Sequence, residues 1–215
     1  VPIKAISEDL HARFGLDPEK AGLLARAAGG NLSYARELAT SESARRQREQ
    51  LLDMARDLPV AGLWATQAAV DELMNTVERR AAERVKALDI ELQKALEWAG
   101  DARTKAWLKK RHEEKIKRQQ RRLTTQGLYA VTRTYAGWYR DLAAVSVGAE
   151  DAVLNQDRLG ELREQASADS LVGYTRAVLA VHQTQERLRY NVDARCAIGD
   201  MFRTIKEALA QWPML

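Results

Sequence analysis

Apolar residues recur at steps of three and four along most of this chain, the spacing of one face of an α-helix, and nowhere alternate as a strand requires. Leu23, Leu24, Ala27 and Ala28 form one short stripe, and Leu32, Ala35, Leu38 and Ala39 form the next. Between them Gly29-Gly30 supplies the left-handed backbone that a helix end uses, and Asn31 offers a side-chain oxygen to the free N–H groups of the helix that follows. Upstream, Asp17-Pro18-Glu19 places a cap, a proline at the first helical position and an acid in the first turn. Ser7 is expected to cap an earlier short helix that Gly15 ends. Residues 1–40 therefore predict three small helices, too few to hold a generous core alone. The polar stretch 40–50 bridges or continues the third helix, and a domain boundary is expected near 41–50.

Leu58-Pro59-Val60-Ala61-Gly62 interrupts the pattern. From Leu63 to Ala99 a single stripe runs through Val70, Met74, Val77, Ala81, Val85, Leu88, Leu92 and Leu96 on a long charged helix. Gly100 is expected to stop it, and Asp101 to cap a second long helix that continues to Val145. The far half of that helix carries Leu128, Val131, Tyr135, Trp138, Leu142 and Val145 in a seam suited to packing beside other helices. Two such helices in succession predict an antiparallel hairpin. After a looser region at 146–157, a short helix holds Leu159, Leu162 and Ala166, and the polar run Ser167 to Ser170 is expected to cap the next. That helix places Leu171, Tyr174, Val178, Val181 and Leu188 on one face, with Gln185 as a polar intruder, until Tyr190 to Asp193 breaks it. A last helix with Ile198, Met201, Phe202, Ile205 and Leu209 ends near Trp212-Pro213. The predicted class is all-α.

Composition agrees. The 215 residues are 46% hydrophobic with only 12 Gly and 4 Pro, which leaves few breakers for a β-rich fold. A single cysteine, Cys196, excludes an intramolecular disulfide and a cysteine-rich zinc site, and fits a reducing compartment, so a cytoplasmic location is expected. No apolar run approaches the roughly 20 residues of a membrane-spanning helix, so no membrane partner is expected. The chain opens at Val1, almost directly in a helical pattern, and is expected to be a fragment of something longer.

Catalytic chemistry is sparse. His11, His112 and His182 lie far apart, and Glu8 with His11 makes only one ExxH, half of what a di-iron bundle needs. This pair is expected to be a wet surface. There is no GxxxxGK[ST] loop and no strand followed by GxGxxG to cradle a phosphate, so no enzyme, metal or cofactor is expected. Cys196, among alanine and isoleucine, is expected to be a buried, inert thiol.

Charge adds one feature. Residues 103–122 hold ten cationic side chains against Glu113 and Glu114, a local excess of +8 in a chain of net charge +4, so the remainder is acidic. Lys109, Lys110, Arg111, Lys117, Arg118, Arg121 and Arg122 are candidate phosphate contacts, although pairing with an acidic neighbour or plain solvation is the expectation preferred for this run. Aromatic interleaving of the kind single-strand binders use is limited to Trp107. The first three helices also admit a helix-turn-helix reading with Asn31, Ser33, Arg36 and Glu37 on the exposed face, though Glu37 would meet phosphates badly.

Four segments in order, GGNLSYARELA at 29–39, LYAVTRTYAGWYRDLAAV at 128–145, LNQDRLGELREQAS at 154–167 and LRYNVDARCAIGDMFRTI at 188–205, resemble the delta-prime subunit family of the bacterial DNA polymerase III clamp loader. Trp138-Tyr139-Arg140-Asp141, the Asn155-Gln156-Asp157 turn and the Asn191-Val192-Asp193 break carry the likeness. The resemblance implies that residues 1–45 are the lid of an AAA+ module and 46–215 the helical collar through which clamp-loader subunits assemble. A basic hairpin at about 63–125 would be an insertion, and the ATPase-like domain would precede Val1. ATP-hydrolysing relatives carry a sensing Arg early in the last lid helix, where this chain has Ser33, with Arg36 one turn on. Such a subunit would be non-catalytic and without a cofactor of its own, and its partners would be delta and tau/gamma. Leu128, Val131, Tyr135, Trp138, Leu142, Leu171, Val178, Phe202 and Ile205 are the expected interface residues. The alternative is a nucleic-acid-binding adaptor acting through 103–122.

Overall fold

The computed structural model describes residues 1–98, 101–190 and 192–210, apart from the side chains at 87–89, 91–93, 95 and 98. Among the described residues there are nine α-helices and no strand, so the protein is all-α. Gly100, Leu88, Leu92, Asn191 and Trp212-Pro213, each given a role by the sequence pattern, lie outside the described residues or side chains.

The chain divides into two compact units, one made of 1–66 with 132–215 and one of 67–131. The first unit starts with α1 (Ile3–Phe14), α2 (Pro18–Ala27) and α3 (Leu32–Thr40). Ile6, Leu10, Ala21, Ala25, Ala28 and Ala35 form their small core, with Ile3, Leu16, Leu24 and Leu32 packed around it. The Asp17 carboxylate accepts the N–H groups of Glu19 and Lys20, and Asn31 Oδ1 accepts that of Tyr34 at 2.9 Å, as cap chemistry predicts. Gly29 and Gly30 take φ of 56° and 84° between them. Ser7 does not cap α1: the helix starts four residues earlier behind Pro2, without a side-chain cap.

Residues 40–50 neither bridge nor prolong α3. Ser41 closes α3 and its hydroxyl accepts the Ala44 N–H, starting α4 (Glu42–Asp57). Ala44, Arg48, Leu51, Leu52 and Ala55 form its buried face. The Leu58–Val60 turn follows, as the proline requires. The rest of the unit comprises the end of α6 (Ala102–Ser146), a loop with two 3-10 turns, α7 (Leu159–Gln165), α8 (Leu171–Arg189) and α9 (Ala194–Ala210). Trp138, Tyr135, Tyr139, Leu142, Leu162, Ile198, Met201, Phe202 and Ile205 are fully buried there. Tyr135 stacks on Phe202 with ring centroids 5.1 Å apart.

α8 turns mainly small residues inward, beside Tyr174, Val181 and Leu188. Gly173, Tyr174, Ala177, Ala180, Val181, Thr184 and Leu188 are buried, whereas Leu171 and Val178 are half-buried. The reason is close approach: a Cβ on Gly173 would stand 2.8 Å from the Ala208 carbonyl oxygen of α9. Ser167 to Ser170 give α8 no side-chain cap and instead form a 3-10 turn, in which the Ser167 N–H donates to the Tyr174 hydroxyl.

The second unit comprises α5 (Leu63–Trp98) from residue 67 and α6 as far as Val131. Val70, Leu73, Met74, Val77, Ala81 and Val85 are buried along one side of α5, with Leu128 and Val131 buried on α6. A Cβ on Gly127 would come within 2.8 Å of Val77 Cγ1, so the helices run antiparallel and touch there. Asp101 starts α6 by accepting the Thr104 N–H at 2.8 Å and its hydroxyl at 2.6 Å. These bonds, that from the hydroxyl foremost, hold the Asp101 carboxyl below its ordinary pKa.

Candidate functional site

Two places in the structure gather polar side chains densely enough to matter. The first lies inside the first unit, where α3, α4, α6 and the 153–157 loop meet. Asp141, wholly buried, accepts the backbone N–H groups of Leu154 and Asn155 and the Asn155 side-chain amide, the latter two at 2.8 Å. Arg140 adds a bond at 3.0 Å and also donates to the Ala152 carbonyl. Asn155 in turn accepts from Arg48 at 2.6 Å, and the same guanidinium grips both Asp157 oxygens at 2.6 and 2.8 Å. A buried carboxylate is tolerated only with its lone pairs met in this way.

The network continues outward. Tyr139 donates to the Ala55 carbonyl at 2.8 Å, and Trp138 Nε1 to Gln165, whose amide donates to the Arg56 carbonyl. Burial pushes the Tyr139 hydroxyl well above its ordinary pKa, so it acts here as a donor and not as an acid. Ala27, Gly29, Tyr34, Arg48, Arg133, Gly137, Leu154 and Asn155 line a cleft of about 30 Å³, enough for one or two waters and far too small for a substrate. The Arg133 guanidinium lies over the Tyr34 ring at 5.8 Å.

The second place is the α6 segment 103–122. Lys109, Lys110, Arg111, Lys117, Arg118, Arg121 and Arg122 are all exposed. At 100° per residue, Arg103, Lys110, Arg111, Lys115, Lys117, Arg118, Arg121 and Arg122 share less than half the helix circumference. Trp107, 55% exposed, stands in the same arc under the Arg111 guanidinium at 5.0 Å. Glu114 is the only acid in the arc. Leu108, His112, Ile116 and Leu123, all half-buried, occupy the opposite side.

The expected interface residues fall mostly inside. Val131, Tyr135, Trp138, Leu142, Phe202 and Ile205 are 0% exposed and Leu128 3%, covered by the chain itself. Three-and-four spacing records that a stripe is covered, and cannot distinguish a neighbour in the same chain from one in another. Large apolar side chains are exposed elsewhere: Val60, Leu63 and Trp64 around the start of α5, with Trp64 86% exposed, and Val172 and Leu179 one above the other on α8.

Cys196 is exposed, not buried, because the inward face of α9 begins at Ala197 and Ile198. A hydrogen bond to Asp193, and that carboxylate's charge, raise the pKa of its thiol. Glu8 and His11 are both exposed, and His11 Nδ1 donates to the Leu16 carbonyl at 2.7 Å. His182 is exposed beside Gln185, and among the described residues no group of three or more His, Cys, Asp or Glu is placed to hold a metal ion. No helix among the described residues is long and apolar enough to cross a membrane.

Of the face considered for a helix-turn-helix, Asn31 is engaged as a cap and Arg36 is clamped on Asp9 of α1 by bonds of 2.9 and 2.8 Å. Ser33 is exposed. The residue that sequence reasoning missed is Arg48, an arginine in a polar run whose partners lie more than 100 positions away. No protein-family model, curated protein or solved structure matches this chain.

Proposed function

We propose that this chain is a non-catalytic assembly piece, the lid and collar region of a delta-prime subunit of the DNA polymerase III clamp loader, acting in the cytoplasm with delta and tau/gamma subunits. One observation carries the reading. Three of the segments that resemble the family, 29–39, 128–145 and 154–167, contribute Gly29 and Tyr34, Asp141, and Asn155 and Asp157 to a single junction around the buried Arg48. Motif residues that meet in space are better evidence of a shared architecture than the same residues scattered. The commitment of Arg36 to Asp9 also suits a subunit that senses no nucleotide, since that guanidinium is already spent on a carboxylate.

Assembly then uses the apolar side chains left outside the core, with Trp64, Leu63 and Val60 as the anchor and Leu179 as a second contact. Large aromatic side chains at such positions dominate interface energetics. Sedimentation of the chain with the tau/gamma collar at micromolar concentration tests this. A complex is expected, with Trp64→Glu weakening it at least tenfold while Leu23→Glu, exposed on α2, leaves it intact. No complex, or equal binding by both variants, would overturn the reading.

A further inference from the structure

The strongest unabsorbed feature is the outward face of α6 between Arg103 and Arg122. Its cations differ from those of the first unit. There Arg36 sits on Asp9, Arg48 on Asp157, Arg56 and Arg158 on Glu161, and Arg163 on Glu150. Among the described residues, no carboxylate lies in salt-bridge range of Lys109, Lys110, Arg111, Lys117, Arg118, Arg121 or Arg122. The helix is continuous from Arg103 to Arg122, about 28 Å at 1.5 Å per residue, and holds all of these charges but Lys109 on one face.

From this we propose that the 103–122 face of α6 binds the phosphate backbone of duplex DNA without reading its sequence. Six unneutralised cations on one face can lie along the phosphates of a duplex and release their counterions. A straight helix also fits the major groove, where phosphates flank it on both sides. Single-stranded nucleic acid is a poorer match, because it is held by successive aromatic platforms and this face has Trp107 alone. A lipid surface is poorer still: an interfacial helix turns an apolar side to the acyl chains, whereas Leu108, Ile116 and Leu123 are half-buried opposite the basic row. Trp107 lies within the contact with Arg111 over its ring, presenting a flat edge to the sugar backbone. This surface acts whether or not the chain assembles with sister subunits.

Fluorescence anisotropy of the full chain with a labelled random-sequence duplex of about 20 base pairs tests the proposal, since a 28 Å helix covers roughly 8 base pairs. Binding is expected in the micromolar range at low salt, with log affinity falling against log salt at a slope of about 4 to 6. The variant Arg111→Gln/Lys117→Gln/Arg118→Gln/Arg121→Gln should bind at least tenfold more weakly and lose about 3 to 4 of that slope. Lys4→Gln/Lys20→Gln, removing two exposed cations of the first unit, should bind as the parent does. Circular dichroism of both variants should match the parent, and the salt slope of the unaltered chain stands as a measure independent of either. Absence of binding, a fourfold variant that binds unchanged, tighter binding to the single strand, or equal binding to polyglutamate or phosphatidylserine vesicles would each overturn the proposal.

Discussion

Tyr135 shows how burial and hydrogen bonding separate at a single residue. Its ring is fully buried against Phe202, yet its hydroxyl has no partner among the described residues. An unmet buried hydroxyl costs about 1–3 kcal/mol, so Tyr135→Phe, which keeps the ring, is expected to raise the urea midpoint, and a lower midpoint would reveal a bond at that oxygen. Asp9 behaves in the opposite way. Its hydrogen bond to Arg36 holds the carboxyl below its ordinary pKa. A lowered folded-state pKa means that this contribution is complete above the unfolded value near 4 and is lost as pH falls through the folded one. Asp9→Asn should therefore lower stability at pH 7 and flatten the loss of stability below about pH 4, measured by denaturant unfolding across pH. Neither effect is legible in the sequence, because each depends on a partner from a distant helix.

Helix starts and stops were legible wherever one residue did the capping. Asp17, Asn31 and Asp101 cap as their chemistry dictates, since the acceptor and its N–H groups lie within three residues of each other. The same logic over-read Ser7 and passed over Ser41. Helix α1 needs no side-chain cap behind Pro2, and α4 hid behind the polar residues of its outer face. Size was a poor guide to the inner face of α8, where small residues admit α9. Gly173→Ala should cost about 1–3 kcal/mol, exceeding any gain in helix propensity, because the added methyl meets a carbonyl that cannot swing away. Thermal unfolding would measure it, and a raised midpoint would show that α9 gives way. The burial expected of Cys196 from its apolar neighbours fails, because the 197, 198, 201, 202, 205 face of α9 leaves it outside.

At the scale of the molecule, the class and the two long helices followed from periodicity, but the candidate site did not. Asp141, Asn155 and Asp157 were visible only as parts of a family resemblance, and Arg48 was not visible at all. Buried polar groups carry no periodic signature, since their position is set by partners far along the chain. The first unit is built from two stretches of chain, and Arg48 must find Asp157 across 109 residues. The hairpin between them is made of neighbours in sequence, and because its helices run antiparallel, chain leaves it close to where it entered. Once those two helices have zipped together, the remaining closure involves a tether of a few residues instead of more than a hundred, an entropic saving of about 2 kcal/mol. The segment that carries the basic row thus also shortens the loop a split domain must close, making it almost as easy to fold as a continuous one.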